Sequence, residues 1–136
     1  MKPYDIVEHT ADVGIKAYGD SIEEAFANAA KGMFDLITDN SNIDSIGEYL
    51  IELEADNLEE LLVDWLSELL FLHGAHNLVF GFFDVKIKDK KLSARVKGEE
   101  YNLEKHGMGV EIKAVTYHML EVHVEPPIYV QVLFDI

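Results

Sequence analysis

The 136-residue sequence predicts an α+β fold in a single domain over residues 1–136, mainly antiparallel β-sheets packed with two α-helices and ending in a C-terminal β-meander. Three observations predict it. Two helix-capping signatures each precede apolar residues at helical spacing. Short alternating segments lie before and between them. From Leu78 onward every segment reads as strand, joined by connections too short for anything but antiparallel pairing.

Taken in order, Tyr4 to His9 and Val13 to Tyr18 read as two strands, the second alternating Val13, Ile15 and Ala17 with polar or exposed positions. Thr10-Ala11-Asp12 lies between them, which makes Asp12 a turn residue. Ser21 with Glu24 three positions later forms a capping box, and Ile22, Phe26, Ala29, Ala30, Met33, Phe34 and Ile37 then mark a helix from Ile22 to Ile37. The polar run Thr38-Asp39-Asn40-Ser41-Asn42 ends it. Ile46 to Ala55 alternates as a strand. Asn57 with Glu60 caps a second helix whose wide apolar face, including Leu62, Trp65, Leu66 and Leu69, places it at the centre of the domain, between sheet and first helix. Gly74 is expected to end that helix near His73. Strands are then expected over Leu78 to Ile87, Leu92 to Leu103, Val110 to Val124 and Ile128 to Asp135, with turns at Lys88-Asp89-Lys90, Gly107-Met108-Gly109 and Pro126-Pro127.

Composition narrows the chemistry by exclusion. Cysteine is absent, which removes disulfides, thiolate nucleophiles and sulfur-ligated zinc. Eleven basic residues against 26 acidic ones give a net charge of −15, so the mean surface field repels phosphate backbones and direct nucleic-acid binding is not expected. The same field favours cations or a basic protein partner. Met1-Lys2-Pro3-Tyr4-Asp5 lacks the basic stretch and apolar run of a signal peptide, and no segment is apolar and long enough to span a bilayer; a cytoplasmic protein without a membrane partner is expected. Phosphate-loop, dinucleotide and Gly-x-Ser-x-Gly fingerprints are missing.

Among candidate sites, Asp39-Asn40-Ser41-Asn42-Ile43-Asp44 fails as a calcium loop: Ile43 sits where an oxygen donor belongs, the central glycine is missing and Leu50 replaces the closing glutamate. His73 and His76 flank Gly74 and read as a helix-terminal pair rather than zinc ligands. His118 and His123 have opposite parity in one strand and cannot form one cluster if it is regular. The informative pieces are the two ends, Glu8-His9-Thr10-Ala11-Asp12-Val13-Gly14 and Leu133-Phe134-Asp135-Ile136. If the turn bearing Asp12 lies beside the last strand, Asp12, Asp135 and the terminal carboxylate of Ile136 meet, and a hard oxygen-ligated ion such as Ca²⁺ or Mg²⁺ would relieve their repulsion. The competing reading is an Asx turn at Asp12 and a solvated strand end at Asp135.

These residues resemble the archease family, whose hallmarks are an amino-terminal His-Thr-Ala-Asp turn and a carboxy-terminal Asp-Ile; here they are His9-Thr10-Ala11-Asp12 and Asp135-Ile136. Gly19-Asp20-Ser21-Ile22-Glu23-Glu24-Ala25-Phe26, the Leu-rich second helix and Glu111-Ile112-Lys113-Ala114-Val115-Thr116-Tyr117-His118 are similar to the family's pattern in the same order, so the resemblance spans essentially the whole chain. It implies an accessory protein, not itself a ligase, that activates the RtcB-type RNA ligase of tRNA splicing by promoting guanylylation of the ligase's catalytic histidine and its multiple turnover. It also implies a divalent cation, calcium first, held by Asp12, Asp135 and Ile136, with no role assigned to His118. Two other readings stand beside it: a small metal-dependent hydrolase in which Asp12 and Asp135 hold the ion and His9 is the base, and a metal-independent, chaperone-like interaction module.

Overall fold

The computed structural model describes residues 3–9, 12–38 and 42–136. The expected turn residues Thr10 and Ala11, the Asp39, Asn40 and Ser41 part of the polar loop, and Met1-Lys2 of the amino-terminus lie outside the described residues. The chain order is β1 (Tyr4–His9), β2 (Asp12–Gly19), α1 (Ile22–Ile37), β3 (Gly47–Glu54), α2 (Leu58–His76), β4 (Leu78–Lys88), β5 (Lys91–Glu100), a short α3 (Leu103–His106), β6 (Ala114–Val115), β7 (Glu121–His123) and β8 (Ile128–Asp135).

Both main helices begin where their caps dictate. The Ser21 side chain accepts from the Glu24 N–H at 3.1 Å and that of Asn57 from the Glu60 N–H at 2.8 Å, each satisfying one of the N–H groups a helix leaves unpaired. The end of α2 departs from expectation. It runs through Gly74 to His76 and stops at Asn77, whose backbone is left-handed (φ 58°, ψ 41°) and whose N–H bonds His73 O. Gly74 permits a helix end without requiring one, and a methyl added there would meet nothing within 4 Å. Asn77 supplies the left-handed residue that terminates the helix.

The strands form two antiparallel sheets. One is five-stranded, ordered β1-β2-β8-β6 with β7 also on β8; the other is three-stranded, ordered β3-β5-β4. The second half is strand-rich as expected, with β4–β5 and β7–β8 as consecutive antiparallel neighbours, but the chain crosses from one sheet to the other between β5 and β6. Instead of a single strand from Val110 to Val124, β6 and β7 lie along the same edge of β8, in registers that differ by three residues: Val115 faces Phe134 and Glu121 faces Gln131. The surplus chain loops out around Met119, which takes φ 54°.

Burial alternates as a half-buried sheet requires. Ile15 and Ala17 of β2 and Val130, Val132 and Phe134 of β8 are buried on the inner face of one sheet, Leu92, Ala94 and Val96 on that of the other. Both main helices contact strands of both sheets and one another. Small Ala25, Ala29 and Ala30 let α1 approach closely, and Trp65 of α2 is fully buried with its Nε1–H donating to Phe26 O at 3.0 Å. Trp65 is therefore a core residue, and its one polar atom is satisfied. No helix among the described residues is long and apolar enough to cross a membrane.

Candidate functional site

Register decides whether the two ends of the chain meet. β8 pairs antiparallel with β2 from Ile128 against Gly19 to Asp135 against Asp12, so the two aspartates are direct cross-strand partners. Their neighbours Val13 and Phe134 point into the core, which places Asp12 and Asp135 together on the opposite face. Directly opposed residues hold their Cβ atoms about 4.5–5.5 Å apart, close enough for two carboxylates to share one ion. Asp12 is the first residue of β2 rather than a turn residue: it pairs with His9 across β1–β2 as well as with Asp135. His9, Asp12, Asp135 and Ala114 thus occupy one rank across four adjacent strands.

Asp135 is fixed from both sides. Beyond its pairing with β2, its carbonyl accepts from the Lys113 N–H at 2.7 Å, and Leu133 O accepts from both N–H and Oγ1 of Thr116 at 3.0 and 2.9 Å. Gly14 makes the close approach possible: a methyl there would sit 2.3 Å from Val132 O and 2.5 Å from a Leu133 methyl. Asp135 and Ile136 are exposed, and Asp12 is half-buried. The loop after β6 borders this face, since Gln131, on the same side of β8 as Asp135, donates to Met119 O at 3.0 Å. His118 belongs to that loop and is exposed.

Two carboxylates side by side are a donor pair suited to a hard cation. Among the described residues no group of three or more His, Cys, Asp and Glu side chains gathers as metal ligands would. The aspartate pair thus contributes two carboxylates on one face.

The remaining histidines serve local structure. His73 Nδ1 donates to Leu78 O at 2.9 Å and its ring packs edge-on against Phe34 and Tyr101; His76 packs edge-on against Phe71. His123 Nδ1 donates to Glu125 O and Pro127 O, and its ring stacks on Tyr129 at 4.9 Å between centroids. His123 is far along β8 from Asp135, being in register with Tyr129.

A second polar cluster has no counterpart in the sequence reading. His106 is fully buried; its Nδ1 accepts from the Asn102 N–H at 2.9 Å, so its Nε2 carries the hydrogen donated to Glu99 at 3.0 Å. Glu99 also accepts from Lys105 Nζ at 2.8 Å and from the Asp44 N–H at 2.6 Å, and Lys105 reaches Asp44 at 2.6 Å. Burial pushes the Glu99 carboxyl up, but hydrogen bonds from Lys105, the Asp44 backbone and His106 overcome this and hold it down at about 2. Every charge here has a partner, so the cluster locks the segment around Asp44 to the turn after β5 and leaves no group available for chemistry. Only the acidic and basic residues at 99, 105 and 106 hinted at it; nothing in local spacing linked them to Asp44.

The profile of the Archease protein family (MTH1598/TM1083) matches residues 4–136. The protein named archease from Pyrococcus furiosus is 44% identical over 126 residues, which cover 90% of this chain and 89% of the relative. That from Methanosarcina mazei is 44% identical over 125 residues, covering 88% and 86%. The solution structure of Methanobacterium thermoautotrophicum protein 1598 superposes with a TM-score of 0.82 at 37% identity, covering 100% of both chains. The crystal structure of an archease from Thermotoga maritima, described as a possible chaperone, shares the fold with a TM-score of 0.60 at 21% identity over 96% of this chain and 94% of that one.

Proposed function

Because this chain belongs to the archease family, we propose that it is an accessory protein that activates an RtcB-type tRNA-splicing RNA ligase, promoting guanylylation and multiple turnover of the ligase, and that it does so with a divalent cation, Ca²⁺ first. The observation that supports this reading is the cross-strand pairing of Asp12 with Asp135 at the end of β8. The two side chains and the carboxylate of Ile136 would hold the ion. When bound, it would supply positive charge at the ligase's nucleotide-binding centre, where phosphate oxygens change partners.

The chain's own part is to bind and to present. Both aspartates stand on hydrogen-bonded strands rather than on a loop, so little ordering is needed when a cation arrives. Their face points outward and can reach into another protein's cleft. The net charge of −15 keeps this protein from competing for the RNA that the ligase must hold, and it would speed docking to a basic ligase surface more than it fixes affinity. Association should therefore weaken as salt is raised.

The test is guanylylation of a purified RtcB-type ligase, followed by ligation under multiple turnover, with and without this protein. Faster guanylylation and repeated turnover support the proposal; unchanged rates with demonstrated complex formation refute it. Two readings separate in the same assay. If the Asp12→Ala variant activates fully, a metal-independent, chaperone-like module is the better description, the wording used for the Thermotoga maritima relative. The pairing of His9 with Asp12 keeps a hydrolase reading in view. Metal-dependent phosphoester turnover by the isolated protein, lost in His9→Ala, would favour it.

A further inference from the structure

The three-stranded sheet ends on one side at β3, which among the described residues pairs with β5 alone. The Ala55 N–H donates to Lys90 O at 3.1 Å, which sets the phase of that pairing. Odd-numbered residues of β3 bond to β5, and the backbone N–H and C=O groups of Glu48, Leu50, Glu52 and Glu54 point away from the sheet. No backbone partner meets them among the described residues.

Natural proteins usually blunt such an edge with proline, a bulge, lysine or a covering segment. Here no strand among the described residues pairs with the edge, and its outer-face side chains form an unusual column. Leu50 is 74% exposed and Ile46, just before the strand, 77%. Glu48 bonds Arg95 at 3.3 Å, whereas Glu52 and Glu54 make no ion pair or hydrogen bond among the described residues.

We propose that the β3 edge is a strand-addition site for an extended segment of a partner protein that carries Lys or Arg at alternate positions around one apolar residue. An antiparallel guest would pair its backbone with Glu54, Glu52, Leu50 and Glu48 in turn, setting basic side chains against the glutamates and an apolar one against Leu50. Directly opposed opposite charges stabilise such a pair and like charges oppose it. The glutamates therefore select against a second copy of β3, whose own carboxylates would face them, and against acidic segments generally. This surface lies on the other sheet from Asp12 and Asp135, so it is separate from the cation site.

The experiment uses the full chain and two synthetic heptapeptides, Lys-Thr-Lys-Thr-Leu-Thr-Arg and the same sequence with Glu at the three basic positions. Amide hydrogen exchange is read by NMR. The basic peptide should protect the Glu48, Leu50, Glu52 and Glu54 amides and leave Tyr49, Ile51 and Leu53, already bonded to β5, unchanged. Reversing charge in a Glu52→Lys, Glu54→Lys double variant, exposed positions that should not disturb the fold, should weaken binding about tenfold or more, and salt should weaken it further. Absence of alternate-residue protection at millimolar peptide, equal protection by the acidic peptide, or concentration-dependent protection without peptide would each overturn the proposal, the last by identifying a second copy as the occupant.

Discussion

Replacing Glu99 by glutamine tests the buried polar cluster by keeping its shape and removing its charge. The amide oxygen can still accept from the His106 ring and from the Asp44 N–H, but Lys105, 2.8 Å away, loses its carboxylate. The Glu99 carboxyl is held at about 2 against an ordinary 4.5. Because the folded value is depressed, the stabilisation is complete above pH 4.5 and is lost as pH falls towards 2. A shift of that size converts to about 3 kcal/mol at full weight. The Glu99 side chain is 9% exposed, but Lys105 and Asp44 are 30% and 63% exposed, so solvent screening brings the expected contribution to about 1–2 kcal/mol. Urea unfolding can be followed through Trp65, the chain's one tryptophan, which is fully buried. Glu99→Gln should be less stable than wild type by that amount at pH 7, and the gap should narrow between pH 4.5 and 2. A gap of equal size at pH 7 and at pH 3 would show that packing, not charge, makes the difference.

Two further substitutions probe how the backbone positions the site and ends the helix. Gly14→Ala puts a methyl 2.3 Å from Val132 O, so β2 and β8 must separate; a loss of about 1–3 kcal/mol in urea unfolding is expected, together with weaker Ca²⁺ binding, because Asp12 and Asp135 are held by the same pairing. Wild-type stability would mean that the close approach is not needed. Asn77→Ala should cost about 1 kcal/mol because alanine resists the left-handed backbone at φ 58°, while Asn77→Gly should be nearly neutral. Equal melting temperatures for the two variants would contradict the assignment of Asn77 as the helix stop.

The features legible in the sequence were those written at short range. Ser21 with Glu24 and Asn57 with Glu60 specify helix starts through contacts three residues apart, and the structure makes those contacts. Alternating Val13, Ile15 and Ala17 specify an inner face. Gly74 misled because a glycine is compatible with a helix end but does not impose one; the left-handed position lay three residues on, at Asn77. The stretch from Val110 to Val124 misled because its apolar residues alternate on either side of an inserted loop, and a register offset is invisible until both strands are seen against β8. Glu99 and Lys105 meet Asp44 across 55 or more residues, a distance that no local pattern encodes. Asp12 and Asp135 were an exception to that limit. Each begins or ends a strand with clear alternation, so their meeting needed the two strands to be antiparallel neighbours in the register they adopt. The assignment of Asp12 to a turn failed for a related reason: the connection from β1 is so short that Asp12 already pairs within β2.

The proposed cation site is tested most directly by calorimetric titration of Ca²⁺ into the chain as it stands and into a form lengthened by a few residues beyond Ile136. The extension turns the terminal carboxylate into an amide but leaves Asp12 and Asp135 paired. Binding should be about tenfold or more weaker in the lengthened form and unchanged when the same residues are added at the amino-terminus. Equal Ca²⁺ affinity in all three would contradict the participation of Ile136, and no Ca²⁺ binding by the unextended chain would contradict the site itself.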